Sequence, residues 1–146
     1  MEFLTDAQRE CYEKITPWMH ELFGEQVKTE AESPIFHVMV GAAFVFVQVS
    51  AWGETDSTIT ARTYVASGTE LTSELMLFLL RENDTMRFGA FGIDEDKDIV
   101  FQHGIVGSTC DQNELEATIK SVIDTVDRYD EHIVNTWGGT KAMSAA

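Results

Sequence analysis

The run from Ala42 to Trp52 constrains the fold most, because it is apolar on both faces of an extended strand. Alternate residues of a strand point to opposite sides of its sheet. The two sets are Phe44, Phe46 and Trp52 with Gln48 and Ser50 on one side, and Val45, Val47, Val49 and Ala51 on the other. Strands of this kind are covered on both faces in folded proteins. The run therefore predicts a central strand with something packed against each side of its sheet.

Helices and further strands are predicted on either side of this run. The capping-box sequence Thr5-Asp6-Ala7-Gln8 begins a helix over 5–23 that contains Pro17. The other predicted elements are strands over 35–40, 58–65, 86–93 and 98–105, a helix over 69–82 with Asn83 as its left-handed C-terminal cap, and a helix that starts at Asp111. The order is α-β-β-β-α-β-β-α. Strands joined by short loops are usually antiparallel neighbours, so we predict an α+β fold, an antiparallel sheet with helices packed on it.

The chain is expected to form one domain over residues 1–137. No repeat, linker or low-complexity insert divides it, and 146 residues is an ordinary size for a single core. Residues 138–146 offer little to bury and are predicted to be a flexible tail.

The charge of the chain limits its partners. Its 25 Asp and Glu residues against 10 Lys and Arg residues give a formal net charge of −15. This charge repels phosphate backbones and anionic lipids, so we expect neither nucleic acid nor a membrane as partner. Apolar runs such as Ala42 to Val47 are far shorter than the ~20 residues of a membrane helix. The segment from Met1 to Asp6 lacks the features of a signal peptide, so we expect a cytoplasmic protein.

The second predicted helix is apolar on all sides. With about 100° per residue, Leu75 and Phe78 fall on the same side as Leu71. The residues on the opposite side are Met76, Leu77 and Leu80. A helix with apolar residues on all sides is normally buried on all sides. A second subunit is the simplest way to bury the side that faces away from the sheet. We therefore predict a homodimer whose interface contains this second group of three.

The chain resembles the YbjN family in its order of elements and in several local runs. These runs are Glu74-Leu75-Met76-Leu77-Phe78-Leu79-Leu80-Arg81-Glu82-Asn83, Phe88 to Ile93, Ile99 to His103, and Glu114-Leu115. The resemblance covers roughly residues 5–135 and is strongest to small cyanobacterial and chloroplast members. That family shares the fold of type III secretion chaperones. The resemblance therefore implies a dimeric, protein-binding fold, and it brings no catalytic residues with it.

An acidic turn is the first candidate for a metal site. Asp94, Asp96 and Asp98 match the start of a calcium loop, but Ile99 and Ile105 stand where such a loop needs glycine and glutamate. We predict a solvated hairpin turn.

The histidines and cysteines are the remaining candidates for chemistry. His20, His37, His103 and His132 lie on four different elements, and only His37 and His103 could meet, if their strands were close. Cys11 falls on the apolar stripe of the first helix, and the carboxylate of Asp111 disfavours a reactive thiolate at Cys110. We predict no metal, no cofactor and no enzymatic activity.

The leading hypothesis is a non-enzymatic, homodimeric protein-binding module, chaperone-like or adaptor-like. Its partners would be a second copy of itself and an unidentified protein segment, with Phe44, Phe46 and Trp52 as the candidate contact residues. The alternative is a regulatory module that senses a small molecule in a pocket between sheet and helices. An elongated apolar groove would favour the first hypothesis, and a closed concave pocket the second.

Overall fold

The computed structural model describes residues 1–142, which form three α-helices, seven β-strands and a short 3-10 turn at Gly24–Gln26. The helices are α1 (Asp6–Phe23), α2 (Ser73–Thr85) and α3 (Gln112–Trp137). The strands are β1 (Val27–Thr29), β2 (Ile35–Val40), β3 (Ala43–Trp52), β4 (Asp56–Ser67), β5 (Ala90–Ile93), β6 (Ile99–Val106) and β7 (Thr140–Lys141). The predicted α+β class is confirmed, and β1 and β7 are additional to the predicted elements.

The strands form one antiparallel sheet in the order β1-β2-β3-β4-β6-β5, with β7 added at the end of β4. Strand β4 lies near the centre, where Arg62 is paired with Phe46 of β3 on one side and with Gln102 of β6 on the other. After β4 the chain passes through α2 to the edge strand β5 and returns inward as β6. The sheet therefore joins segments that are far apart in the sequence.

Helix α1 begins and ends where the sequence predicts. The Thr5 Oγ1 atom accepts a hydrogen bond from the backbone N–H of Gln8 (3.1 Å), and the Gln8 side chain accepts one from the N–H of Leu4 (2.7 Å). These bonds satisfy amide groups that the first turn of a helix leaves without partners. Pro17 lies inside the helix, and Gly24 ends it with φ of +54°.

Helix α2 begins later than predicted, at Ser73 instead of near Thr69. Thr72 is its N-cap, because its Oγ1 accepts a hydrogen bond from the N–H of Leu75 (3.1 Å). The helix also continues past Asn83, which lacks the left-handed backbone expected of a cap. The Asn83 side chain instead binds the backbone of Phe91 in β5, donating to its C=O (3.2 Å) and accepting from its N–H (2.7 Å).

The core lies on one face of the sheet, beneath the helices. Tyr12 of α1 stacks on Phe36 of β2 with a centroid distance of 5.0 Å, and Tyr129 of α3 packs on Phe91 of β5 at 5.1 Å. The largest fully buried side chains include Phe36, Phe101, Ile15, Met19, Ile59, Leu75, Leu115, Ile119 and Ile133. Side chains from the helices and from one side of the sheet thus fill a single apolar layer.

The opposite side of the sheet is not covered by any helix of residues 1–142. Val45, Val47 and Val49 are completely buried, as predicted, but Phe44 and Phe46 on the other side of β3 are only half-buried. The prediction that this strand is buried on both faces is therefore wrong for the chain taken alone. The helices pack on one face because each contributes one apolar stripe to the same core.

Strand β7 pairs with the sheet in a segment that the sequence predicted to be a flexible tail. Thr140 and Lys141 pair with Ser67 and Ala66 of β4. Gly139 has φ of +90°, and a Cβ atom there would clash with the backbone oxygen of Ser67. A glycine is needed at this position because of both its backbone angle and the close approach. Residues 143–146 of the predicted tail lie outside the described residues.

Candidate functional site

The uncovered side of the sheet carries a cluster of aromatic rings. We call this side the open face; its strand residues point away from the helices. Phe44 and Phe46 of β3 are 4.9 Å apart between ring centroids. His37 of β2 lies 5.5 Å from the first ring and 5.1 Å from the second, and Tyr64 of β4 lies 6.3 Å from Phe46. Three neighbouring strands therefore present one continuous aromatic surface.

A trough of about 330 Å³ runs beside this cluster. It is lined by Ile35, Phe46, Gln48, Thr60, Arg62, Tyr64 and Gln102. Within it the Arg62 Nη1 atom donates a hydrogen bond to Gln102 Oε1 (2.9 Å). Its lining residues come from four neighbouring strands, β2, β3, β4 and β6, include both aromatic and polar side chains, and leave the trough open to solvent.

His37 forms one edge of the open face. Its Nε2 lies 2.8 Å from Glu30 Oε2, while its Nδ1 is buried and has no hydrogen-bond partner among the described residues. The contact with the Glu30 carboxylate fixes the orientation of the ring against Phe44 and Phe46. The His37 ring of the aromatic cluster is therefore already fixed in position in the free chain.

The predicted contact residues are only partly brought together. Phe44 and Phe46 are adjacent, but Trp52 lies about 20 Å further along β3, at ~3.3 Å per residue. Trp52 is paired with Asp56 at the end of the sheet and is 57% exposed. It shares the open face without touching the cluster.

Sequence reasoning missed three residues of this face, namely His37, Arg62 and Tyr64. The alternation of polar and apolar residues in β2 and β4 shows on which side of the sheet each of the three lies. The two consecutive hairpins, β2–β3 and β3–β4, set their register with β3. That signal was present in the sequence. The pairing of Arg62 with Gln102 was not, because it depends on which strand follows β4 in the sheet.

Helix α2 provides a second apolar surface. Leu77 is 48% exposed and Leu80 is 65% exposed, whereas Met76 is half-buried. On the opposite side of the helix, Leu75 is completely buried and Phe78 lies 5.2 Å from Trp137 of α3. The helix therefore has an inner side that packs on the fold and an outer side that stays in contact with solvent.

A groove of about 550 Å³ separates α2 from the C-terminal half of α3. Leu77, Phe78, His132 and Trp137 form its apolar part, and Arg81 lies on its rim. The groove adjoins the outer side of α2, so both belong to one surface.

The two thiols are buried, and their surroundings favour the protonated form. Burial raises the pKa of Cys110 to about 11, and the Glu114 carboxylate adds to that effect. Burial is also the largest cause of the raised pKa of Cys11. The Lys14 ammonium lies nearby but donates its hydrogen bonds to the carbonyls of Gly107 (2.7 Å) and Cys110 (3.1 Å). A thiolate, the form that reacts, is therefore disfavoured at both positions.

The two strand histidines are on opposite sides of the sheet. His37 lies on the open face, whereas His103 faces the helices and accepts a hydrogen bond at Nδ1 from the N–H of Gly89 (2.9 Å). Burial lowers the pKa of His103. The two imidazoles therefore cannot share a metal ion.

In the acidic turn between β5 and β6, the Asp94 carboxylate is hydrogen-bonded to the backbone of the turn itself. Asp94 Oδ1 accepts hydrogen bonds from the N–H groups of Asp96 (3.0 Å) and Asp98 (2.9 Å). Within residues 1–142, no three His, Cys, Asp or Glu side chains are grouped as a metal site would require. None of the helices in the same range is long and apolar enough to span a membrane.

The fold of the chain is similar to that of chains in several solved complexes. The chain is similar to a chain in the ExsC–ExsE complex, with a TM-score of 0.68, 14% identity and coverage of 88% of this chain and 96% of that one. Its similarity to a chain in the HopA1–SchA chaperone–effector complex has a TM-score of 0.67, 8% identity and coverage of 86% and 98%. These likenesses concern the fold.

A third structure is the Yersinia pestis type III secretion chaperone SycH in complex with a stable fragment of YscM2, with a TM-score of 0.58, 17% identity and coverage of 83% of this chain and 98% of that one. No curated protein matches the chain. The sequence profile of the family described as T3SS (YopN, CesT) and YbjN peptide-binding chaperone 1 matches residues 10–145. The chain therefore belongs to this family of peptide-binding chaperones, TY-Chap1.

Proposed function

We propose that the protein is a non-enzymatic chaperone-like or adaptor-like module that binds an extended segment of a partner protein on its open face. The observation that carries this proposal is the aromatic cluster of His37, Phe44, Phe46 and Tyr64, which no helix of residues 1–142 covers. Contiguous apolar surface that a chain leaves uncovered commonly marks an interaction site. Membership of a peptide-binding family supports the same conclusion.

The shape of the open face fits a segment in extended conformation. The trough crosses neighbouring strands and offers both apolar walls and hydrogen-bonding side chains, such as Gln48 and Gln102. An extended segment can place alternate side chains into such a trough. The rings of Phe44 and Phe46 contact each other already, so little conformational freedom is lost when the partner binds. The net charge of −15 would keep both free and loaded forms in solution.

We further propose that two copies associate through the outer side of α2, with Met76, Leu77 and Leu80 in the interface. The support is the exposure of two leucines, 48% for Leu77 and 65% for Leu80, next to the groove between α2 and α3. Glu74 and Arg81 lie at the sides of this surface and would form a polar rim. A two-fold axis near α2 would bring the same apolar patch together from both copies.

Removal of one aromatic ring tests the proposed binding face. Phe46→Ser and wild type would be used to capture proteins from the native cell extract, and overlapping peptides of each captured protein would then be titrated by fluorescence anisotropy. We expect Phe46→Ser to bind the selected peptide at least about tenfold more weakly, since buried aromatic contacts dominate such interfaces.

Leu4→Ser is the matched control, because Leu4 is an exposed apolar residue (85%) outside the open face. It should bind like wild type. Thermal unfolding would establish that both variants are folded. If folded Phe46→Ser binds the peptide as tightly as wild type, the open face is not the binding site and the proposed function is wrong.

A further inference from the structure

The charge distribution on the open face differs from that of the chain as a whole. Although the chain has 25 acidic and 10 basic residues, the charged strand positions on this face are Lys28, Arg62 and Asp56. Asp56 lies at the far end of β4, where its carboxylate accepts hydrogen bonds from Ser57 N–H (2.7 Å) and Ser108 Oγ–H (2.8 Å). Glu30, in the loop beside β2, is in contact with His37. The middle of the face therefore carries a positive charge.

Arg62 lies at the centre of this face with uncharged neighbours. The nearest strand positions on the same side are Phe44, Phe46, Gln48, Thr60, Tyr64, Val100, Gln102 and Gly104. Arg62 forms no ion pair within residues 1–142, in a chain that is rich in carboxylates. Its hydrogen bond goes to the neutral side chain of Gln102.

The Arg62 guanidinium retains unused hydrogen-bonding capacity. A guanidinium has five N–H donors arranged as a planar fork that matches a carboxylate. Nη1 donates to Gln102 Oε1, and the side chain lines the trough beside the Phe46 and Tyr64 rings. A carboxylate placed in the trough would meet a charged donor next to apolar walls, where charge-assisted hydrogen bonds are stronger than in open water.

We propose that the open face selects a segment with one acidic side chain, set between apolar side chains, which pairs with Arg62. This inference rests on the proposed function and adds the chemistry of the segment. The rest of the chain disfavours further acids, because its charge of −15 repels them. The preferred segment therefore has a single Asp or Glu at the position facing Arg62, with neutral or basic residues outside the trough.

Three fluorescent peptides of about ten residues test the pairing. Each peptide has lysine at both ends and valine at every second position between them. The central valine is replaced by glutamate, glutamine or lysine. We expect wild type to bind the glutamate peptide about three- to tenfold more tightly than the glutamine peptide, and the lysine peptide most weakly. With Arg62→Gln the glutamate and glutamine peptides should bind equally.

Arg128→Gln is the matched control, since Arg128 is an exposed arginine on α3, away from the open face. It should keep the preference of wild type for glutamate. Equal binding of the glutamate and glutamine peptides by wild type would overturn the pairing with Arg62 while leaving peptide binding intact. A preference for glutamate that survives in folded Arg62→Gln would overturn it as well. Failure of all three peptides to bind at millimolar concentration would overturn both this inference and the proposed function.

Discussion

Replacement of Leu80 by glutamate should separate the proposed dimer without unfolding its subunits. Leu80 is 65% exposed in the single chain, so a carboxylate at this position remains in water when the chain is a monomer. Glutamate also favours helix as leucine does. We expect the free energy of unfolding of the monomer to change by less than about 0.5 kcal/mol.

The apolar contribution to the dimer follows from the exposed fractions. Full burial of a leucine stabilises by about 1.5–3 kcal/mol, so covering the exposed parts of Leu77 and Leu80 in both copies contributes about 3–7 kcal/mol. Association costs at least about 4 kcal/mol in lost freedom of motion, so the remaining apolar surface has to add to this contribution. Leu80→Glu removes about 1–2 kcal/mol per copy and also places two carboxylates close together.

Light scattering coupled to size exclusion would measure the effect. At tens of micromolar, wild type should have about twice the chain mass of 16.4 kDa, and Leu80→Glu should have the mass of one chain. Leu4→Glu, which changes a leucine that is 85% exposed and distant from α2, should remain dimeric. A monomeric wild type, or an intact Leu80→Glu dimer, would refute the assignment of the interface to α2.

Three further predictions concern stability. Asn83→Ala should lower the free energy of unfolding in urea by about 1–3 kcal/mol, because it removes two hydrogen bonds to the backbone of Phe91 and leaves groups without partners. Burial lowers the pKa of His103 in the folded state below its ordinary value of 6.5, so the unfolded chain takes up the proton first. The fold should therefore become less stable as the pH falls below about 6.5. His103→Asn, whose amide oxygen can still accept from Gly89, should therefore have a weaker dependence of Tm on pH between about 7.5 and 6. Calcium at sub-millimolar concentration should leave the Tm of wild type unchanged, since the Asp94 carboxylate already accepts hydrogen bonds within its own turn.

Each of these predictions has its own control or contrary outcome. Asn135→Ala replaces an exposed asparagine on α3 and should leave the urea midpoint unchanged; an equal loss in both variants would deny Asn83 a special role. His20→Asn, at an exposed position of α1, should keep the pH dependence of wild type. If His103→Asn keeps it too, protonation of His103 is not its cause. A calcium-dependent rise in Tm of several degrees would mean that the acidic turn binds the ion.

Elements that depend on neighbours in the sequence were predictable. The caps of α1 and α3 follow from Thr5 and Asp111, whose side chains accept hydrogen bonds from N–H groups three residues later. The start of α2 was misplaced because Thr69 and Thr72 are equivalent as caps by sequence. Strand β1 was missed because, of its three residues, only Val27 is buried, which leaves no periodic signal.

The candidate site was less predictable, because it depends on how strands pair and where helices pack. Apolar residues on both sides of β3 indicate that both sides are covered, but they do not say which side the chain itself covers. The helices pack on the side of β3 that carries its valines, so Phe44 and Phe46 on the other side are only half-buried. The role of Asn83 likewise needed the position of β5, because a side chain that binds a strand looks in sequence like a helix cap.

Because β4 lies near the centre of the sheet, we expect its backbone to separate from its neighbours more slowly than the edge strands do. Strand β4 is hydrogen-bonded to β3 on one edge and to β6 on the other, so its amide protons can exchange with solvent only when the whole sheet separates. The edge strands β1 and β5 each have a single neighbour, and either can detach while the centre stays closed. Hydrogen exchange should therefore be slowest in the middle of β4, directly beneath the aromatic rings of the open face. Local fluctuations at the borders of the sheet can then occur without disturbing that surface.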